Sequence, residues 1–303
     1  MSNIKIEEID YKSIGRCLRI YNNEVELYVT LEMGPRIIRY GFIGYQNEFC
    51  EDVPTTKKVL EEEWKMIGGH RFWHSPEHNL RTYIPDNKKV KWSKIEDTII
   101  LENEVEPWSQ IKKEIQITLN NTGSNVTINH RLINKNAWAI EISAWALTVM
   151  APGGIEIIPQ CKKNTNLLPD RLIALWPYSK MNDPRISFGD KYIALKQNKN
   201  KKDAFKIGIL NREGWAAYFN HNNIFIKEFT NYEETKYPDF GVSYESYTNE
   251  FMLEMESLSP LTMLEPEGVL NHVENWKLVK GLPFPGYDEE KLDSILGKVI
   301  KEL

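Results

Sequence analysis

Apolar and polar residues alternate along much of this chain. Val25, Leu27, Val29 and Leu31 interleave with Glu24, Glu26, Tyr28 and Thr30. Ile115, Ile117 and Leu119 interleave with Glu114, Gln116 and Thr118, and Val126, Ile128, His130 and Leu132 with Thr127, Asn129 and Arg131. A period of two marks strands with one buried face, and turn signals such as Asn121-Thr122-Gly123 and Pro152-Gly153-Gly154 separate them. Similar runs at 35–42, 97–105, 139–150, 204–210, 213–229 and 249–258 predict further strands. Short strands without a βαβ rhythm predict an all-β antiparallel sandwich.

Two segments depart from this period. Residues 58–67, with Val59-Leu60-Glu61-Glu62-Glu63-Trp64, have the composition of a short helix. Over 288–303, Leu292, Ile295, Leu296, Val299, Ile300 and Leu303 fall at helical spacing on one face, after Asp288, Glu289 and Glu290, whose charge suits a helix start. This helix is expected to pack on the outside of a sheet. The Lys/Asn-rich stretch 196–203 reads as an exposed hairpin tip, and no internal repeat is visible. The length allows one large β domain over 1–303 or two smaller ones.

Composition narrows the class. The 303 residues suffice for a sizeable core. Nine Trp, fourteen Tyr and eleven Phe suit both strand packing and the apolar faces of sugars. A formal charge of −5, spread along the chain, argues against a nucleic-acid or anionic-membrane partner, which would need a basic stripe. Three cysteines, far apart and without a CxxC pair, predict a reducing compartment. With no apolar leader and no run of about 18 apolar residues, the expectation is a soluble, cytoplasmic protein.

The densest chemistry lies in Gly68-Gly69-His70-Arg71-Phe72-Trp73-His74-Ser75-Pro76-Glu77-His78. Glycines allow close backbone approach, and the polar side chains around them are numerous enough to define a ligand site. His74 to His78 matches the HxxEH spacing of a zinc protease, but Pro76 breaks the helix which that motif requires. No third ligand is apparent, so no metal is expected. In an extended strand His70, Phe72 and His74 share one face, and Arg71, Trp73 and Ser75 the other. One set is expected to enter a cleft.

The Gly68–Glu77 segment resembles the glycine-pair segment of the galactose-mutarotase-like superfamily, which includes aldose 1-epimerases. Thr30-Leu31-Glu32-Met33-Gly34-Pro35-Arg36-Ile37-Ile38 is similar to that family's early strand–turn–strand. Leu253-Glu254-Met255-Glu256-Ser257-Leu258-Ser259-Pro260 resembles the late strand carrying its catalytic glutamate. The resemblance spans about residues 24–280. It implies a single β-supersandwich domain over 1–303 with a small-molecule sugar on its concave sheet, and an isomerase that interconverts anomers by general acid/base catalysis without a cofactor.

By that resemblance Glu256 is the candidate base, with Glu254 as its competitor on the same strand face. His74, or His70, is the candidate acid, because Trp145 stands where epimerases carry a histidine. Trp cannot protonate a ring oxygen, though it stacks on sugars. Arg71, Arg36, Trp145, Glu254, His70 and Lys227 are the candidate substrate-binding residues. Asp239 and Glu245 lie near a turn, His221 in the 220–223 turn, His130 on an apolar strand face, and His272, Glu274 and Trp276 share one face. Two rival readings stay open: a non-catalytic carbohydrate-binding domain using Trp145 and Trp73, and a uronic-acid isomerase or lyase with Arg71 and Arg36 on the carboxylate.

Overall fold

A computed structural model describes residues 3–233 and 235–301. Among the described residues the strands form two antiparallel sheets, one of 12 strands and one of 10. The centre of the larger sheet runs Ile37–Phe42, Glu62–Ser75, Ile140–Met150, Leu253–Leu258, Tyr244–Thr248 and Phe205–Ile209, in that order across the sheet. The smaller sheet has Trp215–Asn220, Asn223–Phe229, Val269–Lys280, Val126–Asn134 and Ile111–Leu119 at its centre. This is the all-β sandwich that the alternating pattern predicts.

Three apolar layers hold it together. Between the sheets, Leu27, Ile37, Phe72, Ala144 and Met255 of the larger sheet meet Ile115, Ile128, Phe225 and Trp276 of the smaller. Outside the smaller sheet, Ile157, Ala217, Ile224 and Ile226 are covered by Leu292, Leu296 and Val299 of the Glu289–Lys301 helix. The helical stripe thus packs where expected, and Asp288 Oδ1 caps it by accepting from the amides of Glu290 (3.1 Å) and Lys291 (3.2 Å). Leu303, the last residue of that stripe, lies outside the described residues. The third layer covers the other face of the larger sheet and contains Trp64, Trp73, Trp145, Leu147, Val149 and Leu258.

The helix expected over 58–67 is corrected. Glu51–Val59 and Glu62–Ser75 pair as an antiparallel hairpin that turns at Leu60 and Glu61. Trp64 and Met66 are buried while Glu63 and Lys65 are exposed, so burial at period two overrides helix-forming composition. The stretch 196–203 is also corrected. It joins Tyr192–Lys196 in the smaller sheet to Phe205–Ile209 in the larger, and so is a crossover between layers rather than a hairpin tip. The run 213–229 does form a hairpin, turning through His221 and Asn222 at positive φ (51° and 60°).

The glycine pair explains how the Glu62–Ser75 strand joins its neighbours. Gly68 and Gly69 have φ of 114° and 67°. A Cβ on Gly68 would meet the Cys50 carbonyl oxygen, and one on Gly69 the Ile37 carbonyl oxygen and Ile38 Cα. The backbone therefore switches from pairing with Glu51–Val59 to pairing with Ile37 at this point.

Candidate active site

Alternation along the paired strands sends one row of side chains into the inter-sheet core and the next onto the outer face of the larger sheet. Register aligns Arg71, Leu147, Glu256 and Glu245 across four neighbouring strands. A second row runs from Gly69 through Val149, Glu254 and Tyr247 to Lys206. Trp73 and Trp145 are paired beside them. From these rows Arg71, Leu147, Glu254, Tyr247 and Lys206, with Trp73 and Trp145, line a cleft of about 280 Å³, to which Trp64, Tyr83 and Tyr178 add aromatic walls.

The aromatic walls are packed together. Trp73 lies edge-on to Trp145 at 5.5 Å and to Tyr83 at 4.9 Å between ring centroids. The Arg71 guanidinium stacks on Trp73 at 4.2 Å, and its Nη1 lies 2.7 Å from Glu254 Oε1. Lys206 Nζ sits 4.7 Å from both the Trp145 and Trp176 rings and pairs with Glu245 at 2.7 Å and Glu256 at 3.0 Å. At the rim, Lys57 donates to Asn79 Oδ1, and Tyr83 donates to Glu77 Oε1 at 2.6 Å.

Glu256 lies beneath this cleft, fully buried. Its Oε2 accepts from Trp145 Nε1 at 2.9 Å and from Lys206, while Oε1 has no partner. Burial raises the Glu256 pKa against the pull of Lys206, and burial with the charge of Glu256 pushes Glu245 well up. Burial works against the Lys206 ammonium, but Glu245 and Glu256 together hold it well above its ordinary value, so it stays charged. One buried cation thus faces two carboxylates that compete for it.

Arg71, Trp145 and Glu254 come together in the cleft, with Glu256 directly below. The histidines do not join them, and this corrects the expected acid. His70 and His74 share the face of Phe72 and turn into the inter-sheet core. His70 Nδ1 is 2.9 Å from Thr148 Oγ1, and its Nε2 is 2.7 Å from His130 Nε2. His74 has no hydrogen-bond partner, and burial, with Lys113 and Arg81 adding, keeps its pKa well below the ordinary imidazole value. His78 is exposed and stacks on Trp108, so the three histidines of the segment diverge.

Lys227 is corrected in the same way. It is fully buried between the sheets, 2.9 Å from Glu274 Oε1, and donates to the Met255 carbonyl at 3.0 Å. Glu274 also accepts from Ser257 Oγ (2.6 Å) and Trp276 Nε1 (2.8 Å), and His272 Nε2 lies 2.6 Å from the same Ser257 hydroxyl. His130, read as a core residue, belongs to this internal network through its Nδ1 and the His272 carbonyl. His70, His130 and Glu274 are the one group of possible metal donors drawn together among the described residues. Lys227 already supplies the positive charge there.

Arg36 lines a separate pocket, bonded to Asp86, so the two arginines do not converge on one ligand. Lys206, Trp64, Tyr83, Tyr178 and Tyr247 line the cleft without having been singled out from the sequence. Phe205-Lys206-Ile207 and Ile226-Lys227-Glu228 offer similar local patterns, and sequence gave no ground to prefer the first.

No protein-family model matches this chain, and no curated protein matches it in sequence. Solved structures do match in fold. A candidate aldose 1-epimerase from Klebsiella pneumoniae subsp. pneumoniae MGH 78578 superimposes with a TM-score of 0.58 at 10% identity, over 91% of this chain and 83% of that one. A galactose mutarotase-like protein from Lactobacillus casei ATCC 334 gives 0.50 at 9% identity, over 87% and 100%. A TPR-domain containing protein from Parabacteroides distasonis ATCC 8503 gives 0.62 at 13% identity over 90% of this chain, which spans about half (48%) of that protein's length. The fold is that of the galactose-mutarotase-like proteins. No helix is long and apolar enough to cross a membrane among the described residues.

Proposed function

We propose that the cleft binds a sugar, with an apolar face of the ring against Trp73 and Trp145 and its hydroxyls on Arg71, Glu254 and Lys206. The observation that carries this reading is the joining of indole faces and internally balanced charge pairs in one cavity. Arg71 is matched by Glu254, and Lys206 by Glu245 and Glu256. A neutral polyol donates to the carboxylates and accepts from the cations without leaving a buried charge unmatched. An acidic or phosphorylated sugar would instead meet Lys57 at the rim.

A screen of neutral hexoses, uronic acids and hexose phosphates by calorimetry tests this reading. Saturable binding of a neutral sugar, weakened at least about tenfold by Arg71→Ala, is the expected result. Absence of saturable binding by any sugar defeats it.

A second reading, an aldose 1-epimerase-like isomerase, is favoured by the free Oε1 of Glu256 and its raised proton affinity. Glu256 would take the proton of the anomeric hydroxyl while a donor protonates the ring oxygen as its bond to the anomeric carbon breaks. Lys206, which is protonated, lines the cleft and pairs with Glu256 beneath it, takes the donor's place in this reading, since no histidine lines the cavity. NMR exchange between anomers separates the two. Acceleration that Glu256→Gln abolishes selects the isomerase, and binding without acceleration selects a carbohydrate-binding domain.

A further inference from the structure

On the far side of Trp73 from the cleft lies a pocket with different chemistry. Its closed end holds Arg36, 3% exposed, whose Nη1 pairs with Asp86. The remaining edge of the guanidinium, Nε and Nη2, is buried without a hydrogen-bond partner, and so is the Oδ1 of neighbouring Asn103. An Nε/Nη2 edge presents two parallel N–H donors at the spacing of two carboxylate oxygens.

The arginine is held firmly in place. Its amide donates to Thr30 Oγ1 at 2.9 Å, and its carbonyl accepts from the Thr30 amide at 2.9 Å. Gly34 N bonds the Asp86 carbonyl and Val90 N the Leu31 carbonyl, each at 2.9 Å, so the loops on both sides are tied together. Asn103 Nδ2 donates to the Gly34 carbonyl.

Ile84, Asp86, Asn103, Glu106 and Lys113 of this closed end also line an adjoining cavity of about 280 Å³. Its apolar walls are Val59, Leu60, Pro85, Val105, Pro107 and the half-exposed Trp108. The charged groups of its rim are mainly acidic. Lys88 is 2.9 Å from Glu104 and also feels the charge of Glu62, Lys113 is paired with Glu106, and Glu61 adds a further carboxylate.

We propose that this is a second ligand site, which binds a small monocarboxylic acid with an apolar or aromatic body, its carboxylate on the Nε/Nη2 edge of Arg36 and its body against Trp108, Ile84 and Val105. The two N–H donors that Asp86 leaves free hold both carboxylate oxygens, with the Lys113 ammonium lining the same pocket. A phosphate dianion meets Asp86 and the acidic rim and is disfavoured. The site is separate from the sugar cleft and does not depend on that reading.

Calorimetric titration of the full chain with 3-phenylpropionate tests it, with 3-phenylpropanol and inorganic phosphate as controls. The expected result is saturable binding of the acid and none of the alcohol or phosphate, with Arg36→Lys and Trp108→Ala each weakening the acid at least about tenfold. If Arg36→Lys fails to fold, as judged by circular dichroism, Trp108→Ala decides, because that ring is half in solvent. No binding by the wild-type chain, equal binding of the alcohol, or unchanged affinity in the folded variants overturns the proposal.

Discussion

The indole Nε1 of Trp145 donates a 2.9 Å hydrogen bond to Glu256 Oε2, so the ring that borders the cleft also holds the carboxylate beneath it. Trp145→Phe keeps an aromatic face and removes the donor, leaving Lys206 alone on that oxygen. A hydrogen bond to a charged group contributes about 1.5–3 kcal/mol, and a loss in this range is expected in urea unfolding. Sugar affinity should change less than about threefold in Trp145→Phe and fall at least about tenfold in Trp145→Ala, which removes the stacking face. Equal affinity in both variants would show that the indole is not a sugar platform.

His70 and Arg71 are sequence neighbours on opposite faces of one strand. His70→Ala leaves a cavity in the inter-sheet core and strips His130 and Thr148 of a partner, which is expected to cost about 3 kcal/mol or more. Sugar affinity of the folded fraction should be unchanged. Arg71→Ala should weaken sugar binding instead. Comparing unfolding curves with binding isotherms for the two variants checks this division, and sugar binding abolished by His70→Ala in a folded protein would contradict it.

Glu156, buried between the sheets, accepts from Tyr244 OH at 2.6 Å and from Ser246 Oγ. Burial pushes its pKa up to about 8 against the pull of both hydroxyls, while an unfolded chain has the ordinary value of 4.5. The native state therefore binds this proton more tightly. The group's stabilising contribution is complete below about pH 4.5 and is lost as the pH rises through about 8. Glu156→Gln cannot ionise, so the stability advantage of wild type over the variant should shrink by roughly 4 kcal/mol between these limits. Denaturant unfolding of both proteins at several pH values measures it, and a constant gap would mean that Glu156 stays charged throughout.

Gly69→Ala should be among the most damaging small substitutions. Its φ of 67° disfavours a side chain, and the added methyl would meet the Ile37 carbonyl and Ile38 Cα, which are backbone and cannot rotate away. A loss of about 3 kcal/mol or more is expected in thermal or urea unfolding. Gly123→Ala, where a Cβ meets open space, should cost far less despite a similar φ of 73°. Similar losses for both would show that φ alone, not the close approach, sets the cost.

The site itself was only partly legible. The Gly68–His78 segment and the Glu254–Glu256 strand were visible as chemistry, and both contribute to the cleft region through Arg71, Glu254 and Glu256. Which face turned inward was not. From residue 68 to 75 every position of the Glu62–Ser75 strand is buried, because one face meets the second sheet and the other the aromatic layer of the cleft. Where both faces are buried, alternation separates the residues into two sets without saying which set meets ligand. The histidine set went to the core, and the arginine–tryptophan set to the cleft.

The alternating pattern alone determined that the chain is built of strands, and the Leu292–Ile300 stripe alone determined the closing helix, because each buries an apolar face that only one periodicity can assemble. Lys206 and Lys227 mark what the tertiary structure decided. Both sit in similar apolar surroundings along the chain, yet one lines the cleft and the other neutralises Glu274 between the sheets. Partnership across strands depends on register and on which sheet a strand joins, and those are set by contacts between residues far apart in sequence.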